Sequence, residues 1–148
     1  MWMLVRANAL GKDDSAGDRR VLAACPDTGE RGDPWRWTVG LRDEETGPVA
    51  VVETDEAFLG AENTQLSGDE SRTVHRSSGQ VVVVTVLDGQ ALVASVGGPW
   101  ERWIRPGDVF VLEGEDDEEV RISLDGGDSE ATVFQLTPTG PRALRWVP

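Results

Sequence analysis

Residues 80–87, QVVVVTVL, form an almost uninterrupted apolar run, broken only by Thr85 after the opening Gln80. Side chains of a β-strand alternate between its two faces, so both faces of a strand with this sequence are apolar and need a covering layer. A single sheet with one face in water does not provide such a layer. The run therefore predicts a sandwich or a small barrel with this strand inside it.

Short segments with β patterning, separated by turn residues, lie on both sides of this run. Residues 35–43, WRWTVGLRD, alternate between apolar and polar side chains and predict a half-buried strand. Further strands are predicted at VAVVET, ALVAS, WERWI, VFVLEG, VRISL and ATVFQL, which lie between turn sequences rich in Gly, Pro and Asp. Together they predict an all-β protein with little helix. The polar residues 55–72 are expected to form a long loop, with a short helical turn at 56–59.

The 148 residues fit one domain, in which we expect 1–34 to be an irregular segment with short strands and 35–148 to be the barrel. The 27 acidic residues outnumber the 14 basic ones, and the formal charge of −13 disfavours nucleic acid as a partner. Cys25 is the single cysteine, so no disulfide can form within the chain. With no signal sequence and no apolar run long enough to span a membrane, we expect a cytoplasmic protein that binds no membrane.

The sequence VVVVTVLDGQALVAS…WERWIRPGDVFVLEGED resembles the cupin superfamily. The resemblance rests on an apolar strand ending in LDG, a hairpin, and a PGD turn that opens the next strand, and it covers about residues 75–120. It implies a cupin-like antiparallel jelly-roll β-barrel whose mouth holds a metal or a small ligand. Cupins perform many unrelated activities, so the resemblance implies the fold more strongly than a reaction.

The resemblance also implies where metal ligands would stand, namely near residues 75, 77, 82 and 118. This sequence has His75, Ser77, Val82 and Glu118 at those positions. One imidazole and one carboxylate are a poor ligand set for a divalent transition metal, which normally takes three or four good donors. We therefore expect no metal and no other cofactor.

A narrower resemblance is to the HutD/Ves branch of cupin-like proteins. It rests on MLVRANAL, PWRWTVGLRDEETGPV, SSGQVVVVTVLDGQALV and VFQLTPTG. This resemblance implies a ligand-binding or regulatory protein linked to amino-acid catabolism, without established catalytic residues.

Candidate site residues follow from the cupin register and from the aromatic and basic side chains near it. Glu118 is expected to point toward His75, which would make these two residues an acid–base pair. Tryptophan supplies a large apolar surface, and a neighbouring arginine can bind a ligand carboxylate through two hydrogen bonds. The ligand-binding candidates are Arg36, Trp37, His75, Trp103, Arg105 and Glu118.

Three functions remain open from the sequence. The first is a metal-independent protein that binds a small molecule or regulates another protein. The second is a metal-independent isomerase or lyase that uses His75 and Glu118. The third is a non-catalytic protein-interaction domain that uses its acidic surface and its tryptophans. We also expect a homodimer, because a subunit interface would account for part of the tryptophan content.

Overall fold

The computed structural model describes residues 2–6, 19–24, 37–45, 47–54 and 58–138. This part of the chain contains strands and no helix, and therefore no helix that could cross a membrane. The strands are β1 (Trp2–Arg6), β2 (Arg19–Ala24), β3 (Trp37–Glu44), β4 (Gly47–Thr54), β5 (Phe58–Ser67), β6 (Ser71–Arg76), β7 (Val81–Asp88), β8 (Ala91–Ser95), β9 (Glu101–Ile104), β10 (Asp108–Leu112), β11 (Glu118–Leu124) and β12 (Glu130–Pro138).

The last eight strands form a jelly roll. β5 pairs with β12, β6 with β11, β7 with β10 and β8 with β9, so the pairs are nested inside one another like the two arms of one long hairpin. Folding this hairpin over itself gives two facing antiparallel sheets, with strand orders β10-β7-β12-β5 and β6-β11-β8-β9. β1 pairs with β10 and extends the first of them to the five-stranded sheet β1-β10-β7-β12-β5. The all-β, cupin-like jelly roll expected from the sequence is therefore confirmed.

The space between the two sheets is an apolar core. Its buried side chains come from both sheets, and the partly buried Trp100 packs against them, with its ring centroid 5.8 Å from that of Phe110. The members are Leu66, Val74, Val82, Val84, Val86, Ala91, Val93, Ile104, Phe110, Leu112, Val120, Ile122, Leu124, Ala131 and Val133.

β7 is buried on both faces, as its apolar sequence predicts. Val82 and Val84 face the core between the sheets, while Val81 and Val83 on the opposite face are also fully buried. A third sheet, with strand order β2-β3-β4, contacts the five-stranded sheet through β4 against β7 and β5, and through β2 against β10. The five-stranded sheet is thus the middle layer, which explains the continuous apolar run.

The prediction of a long loop over residues 55–72 is wrong. β5 and β6 occupy most of it, joined by a tight turn in which the Glu70 amide donates to the Ser67 carbonyl (3.3 Å). β5 is an edge strand paired only with β12 among the described strands, and most of its described side chains are exposed. Because backbone pairing with β12 holds it in place, β5 needs no apolar pattern in its own sequence.

Candidate functional site

Arg76, the last residue of β6, is fully buried at one end of the space between the two sheets. Its two terminal nitrogens donate hydrogen bonds to the chain on either side, and its Nε has no hydrogen-bond partner. A buried guanidinium with a carboxylate and several carbonyl oxygens around it is a charge-assisted network. The acceptors are the backbone oxygens of Ser77 (3.4 Å), Gln80 (3.2 Å), Gly114 (2.7 Å) and Asp116 (2.6 Å), and Oε2 of Glu118 (3.0 Å).

This network holds the acidic segment between β10 and β11, residues 113–117, against the residues that follow β6. Two further contacts join the same parts of the chain: the Gly79 amide donates to the Gly114 carbonyl (3.0 Å), and the Ser78 amide donates to Oδ1 of Asp117 (2.8 Å). The acidic run therefore closes one end of the β-roll, and two of its backbone oxygens, those of Gly114 and Asp116, accept hydrogen bonds from the Arg76 side chain.

Strand alternation decides that Arg76 points inward and His75 outward. In β6, Val74 belongs to the core, and Arg76, two residues later, shares its face. His75 therefore lies on the opposite face, and its side chain is 53% exposed. Its ring nitrogens lie 3.6 Å from Oε1 of Glu119, its partner across the strand pair, and 4.0 Å from Oδ2 of Asp117.

The expected pairing of His75 with Glu118 is consequently wrong. Glu118 lies opposite Arg76 in the β6–β11 register and bonds to it, whereas Glu119 lies opposite His75. Adjacent residues of a strand point to opposite faces, so one carboxylate goes to the interior and the next goes to the surface. An acid–base pair of His75 with Glu118 is not formed.

The four positions implied for cupin metal ligands do not converge on one point. His75 faces solvent, Ser77 follows the end of β6, Val82 lies in the apolar core, and Glu118 is bonded to Arg76. Within the described part of the chain, no three His, Cys, Asp or Glu side chains are grouped so that they could hold a metal ion. The donors present do not fit a transition metal, and a permanently charged guanidinium beside Glu118 disfavours a second cation there.

Two of the other sequence candidates, Trp103 and Arg105, do not lie beside His75. Trp103 lies on β9, 47% exposed, and β9 is separated from β6 by two strands, which places it roughly 14 Å away at the usual strand spacing. Arg105 is exposed after β9, and its backbone amide donates to Oδ2 of Asp108 (3.1 Å). The backbone of Trp37 lies in β3, but its side chain and all of Arg36 fall outside the described residues.

The structure instead contains a groove along the seam where the edge strands of the two facing sheets meet. This seam groove has a volume of about 240 Å³ and lies between β5 and β6, with β12 contributing to its floor. Its lining combines two charged side chains, two threonines, an imidazole, an amide and two valines. The lining residues are Glu62, Thr64, Arg72, Thr73, Val74, His75, Val133 and Gln135.

Gln135 closes one end of the seam groove by linking the two sheets. Its Nε2 donates to the backbone oxygen of His75 (2.8 Å) and to Oε1 of Gln80 (2.9 Å), and the Nε2 of Gln80 donates to Oγ1 of Thr137 (3.1 Å). These bonds hold the amide of Gln135 and the backbone of β6 at a set distance. Among the residues of the seam groove, the sequence identified only His75 as a candidate. Three of the others lie in the segment 55–72, which was expected to be a loop, and the remaining four carry no sequence signal of a site.

No protein-family model and no curated protein matches this sequence. Among solved structures, the chain is similar to a conserved protein of unknown function from Pseudomonas aeruginosa PAO1, with a TM-score of 0.63 and 10% identity over 95% of this chain and 100% of that one. It is also similar to a cupin 2 domain-containing protein from Halorhodospira halophila, with a TM-score of 0.45 and 14% identity over 97% of this chain and 80% of that one.

A third similar structure is RmlC from Streptococcus suis in complex with dTDP-D-xylose, with a TM-score of 0.42 and 12% identity over 80% of this chain and 71% of that one. At identities this low, structural likeness shows the fold alone, and TM-scores below 0.5 carry no information on function. Membership of the HutD/Ves branch stays a prediction. The chain has a cupin-like jelly-roll fold, with an arginine network at one end of the roll and a polar groove along one seam.

Proposed function

We propose that this protein is a metal-independent small-molecule-binding protein whose ligand site is the seam groove. The groove carries the proposal, because it offers donors, acceptors and apolar surface together in a concave space of about 240 Å³. Arg72 and Thr73 offer hydrogen-bond donors, Glu62 offers a carboxylate, and the valines offer contact to apolar atoms. Its volume suits a small metabolite rather than a drug-sized molecule.

Metal independence is supported by the residues at the inward positions of three strands. These residues are Arg76 on β6, Val82 on β7 and Glu118 on β11, and Arg76 is bonded to Glu118. A guanidinium cannot lose its proton to become a ligand, and a valine has no donor atom. We therefore assign a structural role, and no metal, to the end of the roll that contains Arg76.

We expect untagged protein to contain well below one equivalent of zinc, iron, manganese, nickel or copper per chain. The reason is that Val82, at one of the implied ligand positions, has no donor atom, and that Glu118, at another, is already bonded to Arg76. Elemental analysis by inductively coupled plasma mass spectrometry measures this, together with thermal unfolding in the presence of each metal. One tightly held equivalent that raises the unfolding temperature would show that the proposal is wrong on this point.

Filling the seam groove is expected to abolish ligand binding without unfolding the protein. Thr73 lines the groove but is exposed, so Thr73→Trp should occupy the space at little cost in stability. The matched control is Arg121→Trp, because Arg121 is the exposed partner of Thr73 across the strand pair and does not line the groove. Amide shifts in ¹H–¹⁵N NMR spectra, recorded with pools of small metabolites, report the binding. If both variants bind as the wild type does, the site lies elsewhere.

The link to amino-acid catabolism is the narrower part of the proposal. It is supported by the resemblance of residues 3–10, 34–49, 77–93 and 133–140 to the HutD/Ves branch. Metabolite pools that contain intermediates of amino-acid degradation test it, because the proposal expects hits to concentrate in those pools.

A second candidate function, protein interaction, is favoured by apolar exposure near β9. Trp103 and Val96 are 47% and 51% exposed, and β9 pairs on one side only among the described strands. An exposed edge with a tryptophan is a surface on which a second chain can pair. The homodimer expected from the sequence stays a prediction, and sedimentation velocity of the wild-type protein tests it.

A further inference from the structure

The seam groove has opposite charges near its two ends. Glu62 lies directly opposite Gln135 in the β5–β12 pairing, and the side-chain amide of Gln135 donates to the backbone oxygen of His75. The Glu62 carboxylate is therefore at the end of the groove where His75 lies. Arg72 lies three residues before His75 in β6, about 10 Å away along an extended strand. The groove is therefore dipolar, with a guanidinium toward one end and a carboxylate toward the other.

Both charged groups are available to a ligand. Within the described part of the chain, the side chains of Arg72 and Glu62 have no hydrogen-bond or ion-pair partner, and both residues are exposed. His75 differs, because Glu119 and Asp117 already lie near its ring. The two free charges of the groove are thus the pair that a ligand would meet first.

Between these charges, the middle of the groove is partly apolar. Val74 is buried in the core cluster and lines the groove, and Thr64 lies opposite Val133 in the β5–β12 register. Methylene groups can pack on the two valines, while the threonine hydroxyl can bond to a polar atom. A short aliphatic chain that separates two charged ends fits this order of surfaces.

We propose that the seam groove binds a small, elongated zwitterion whose carboxylate pairs with Arg72 and whose ammonium group pairs with Glu62. This inference rests on the proposed function of the same groove. A guanidinium bonds a carboxylate through two parallel hydrogen bonds, which sets the direction in which the ligand lies. A zwitterion is also electrically neutral, so the formal charge of −13 does not repel it, as it would repel a dianion.

The experiment titrates the full-length protein with a series of linear ω-amino carboxylates, from glycine to 6-aminohexanoate, and follows groove amides by NMR. The strongest binding is expected at an intermediate length, because the Arg72 and Glu62 side chains reach inward from their ends. Pentanoate and pentylamine, each with one charged end, are expected to bind at least about tenfold more weakly, since each loses one charge-assisted contact.

Variants of the groove test which residue binds each charged end of the ligand. Arg72→Gln and Glu62→Gln are each expected to weaken the best zwitterion by at least about tenfold. Arg121→Gln and Glu130→Gln, which remove the same charges from exposed strand positions outside the groove, are expected to leave its affinity unchanged. In addition, Arg72→Gln should spare pentylamine and Glu62→Gln should spare pentanoate, a pattern that a merely structural effect would not produce.

Two results would overturn the inference: no member of the series shifts groove amides, or Arg72→Gln binds the zwitterions as the wild type does. If neutral or singly charged metabolites bind in the groove and Thr73→Trp removes that binding, the zwitterion is wrong and the proposed function stands. If Thr73→Trp leaves all binding unchanged, the proposed function itself is wrong.

Discussion

Replacing Arg76 by methionine is expected to lower the free energy of unfolding by about 3–5 kcal/mol, because it removes one partner of a buried charged network. The side chain is fully buried, and it supplies donors to the carbonyls of Gly114 and Asp116 and to the carboxylate of Glu118. Methionine fills similar space but leaves those oxygens without these donors. Urea denaturation followed by tryptophan fluorescence measures the change as a lower midpoint.

The matched control is Arg121→Met, on the strand that pairs with β6. Arg121 is exposed, so the same chemical change there is expected to stay within about 0.5 kcal/mol of the wild type. Arg76→Lys should fall between the two, because an ammonium group keeps the charge but lacks the planar fork of a guanidinium. A loss of less than about 1 kcal/mol for Arg76→Met would mean that the network is worth no more than an exposed ion pair.

Gly89→Ala is expected to cost about 3 kcal/mol, from left-handed backbone strain and from overpacking together. Gly89 turns the chain between β7 and β8 with φ of +71°, a region that residues with a Cβ rarely adopt. A Cβ built at this position lies 2.8 Å from both Cα and Cβ of Ser129, which is itself 4% exposed. The backbone of Ser129 would have to move, and thermal or urea unfolding measures the cost.

Gly126→Ala separates the two causes. Gly126 has a similar φ of +65°, and a Cβ there has no neighbour within 4 Å, so only the backbone strain of about 1–2 kcal/mol is expected. The difference between the two variants is the cost of the contact with Ser129. Equal losses would show that the turn at Gly89 relaxes freely, and that the close approach is not a constraint on the fold.

Part of the fold could be predicted because it follows from local apolar patterns. The run at 80–87 predicted a strand covered on both faces, and β7 is buried on both faces. The segment VRISL at 120–124 predicted a strand, which is part of β11, with Val120 and Ile122 in the core and Arg121 exposed. Such patterns are properties of a few consecutive residues, so they are visible without knowing what lies across from them.

β5 and the interior arginine could not be predicted in this way. β5 is extended because β12, more than sixty residues away, supplies its backbone hydrogen bonds. Arg76 is bonded to residues 38 to 42 positions further along the chain. The resemblance to cupins implied that His75 would be an interior ligand. The side chains of β6 alternate between its two faces, so His75 lies on the outer face and Arg76 on the inner one.

The sequence alone determined an all-β roll with an apolar interior and a poor set of metal donors, because burial periodicity and donor chemistry are carried by residue types. Only the tertiary structure decided which of two neighbouring side chains, His75 or Arg76, points into the roll, because a shift of one residue in a strand exchanges its two faces. It also decided that Glu62, Arg72 and Gln135, which come from three different strands, line one groove.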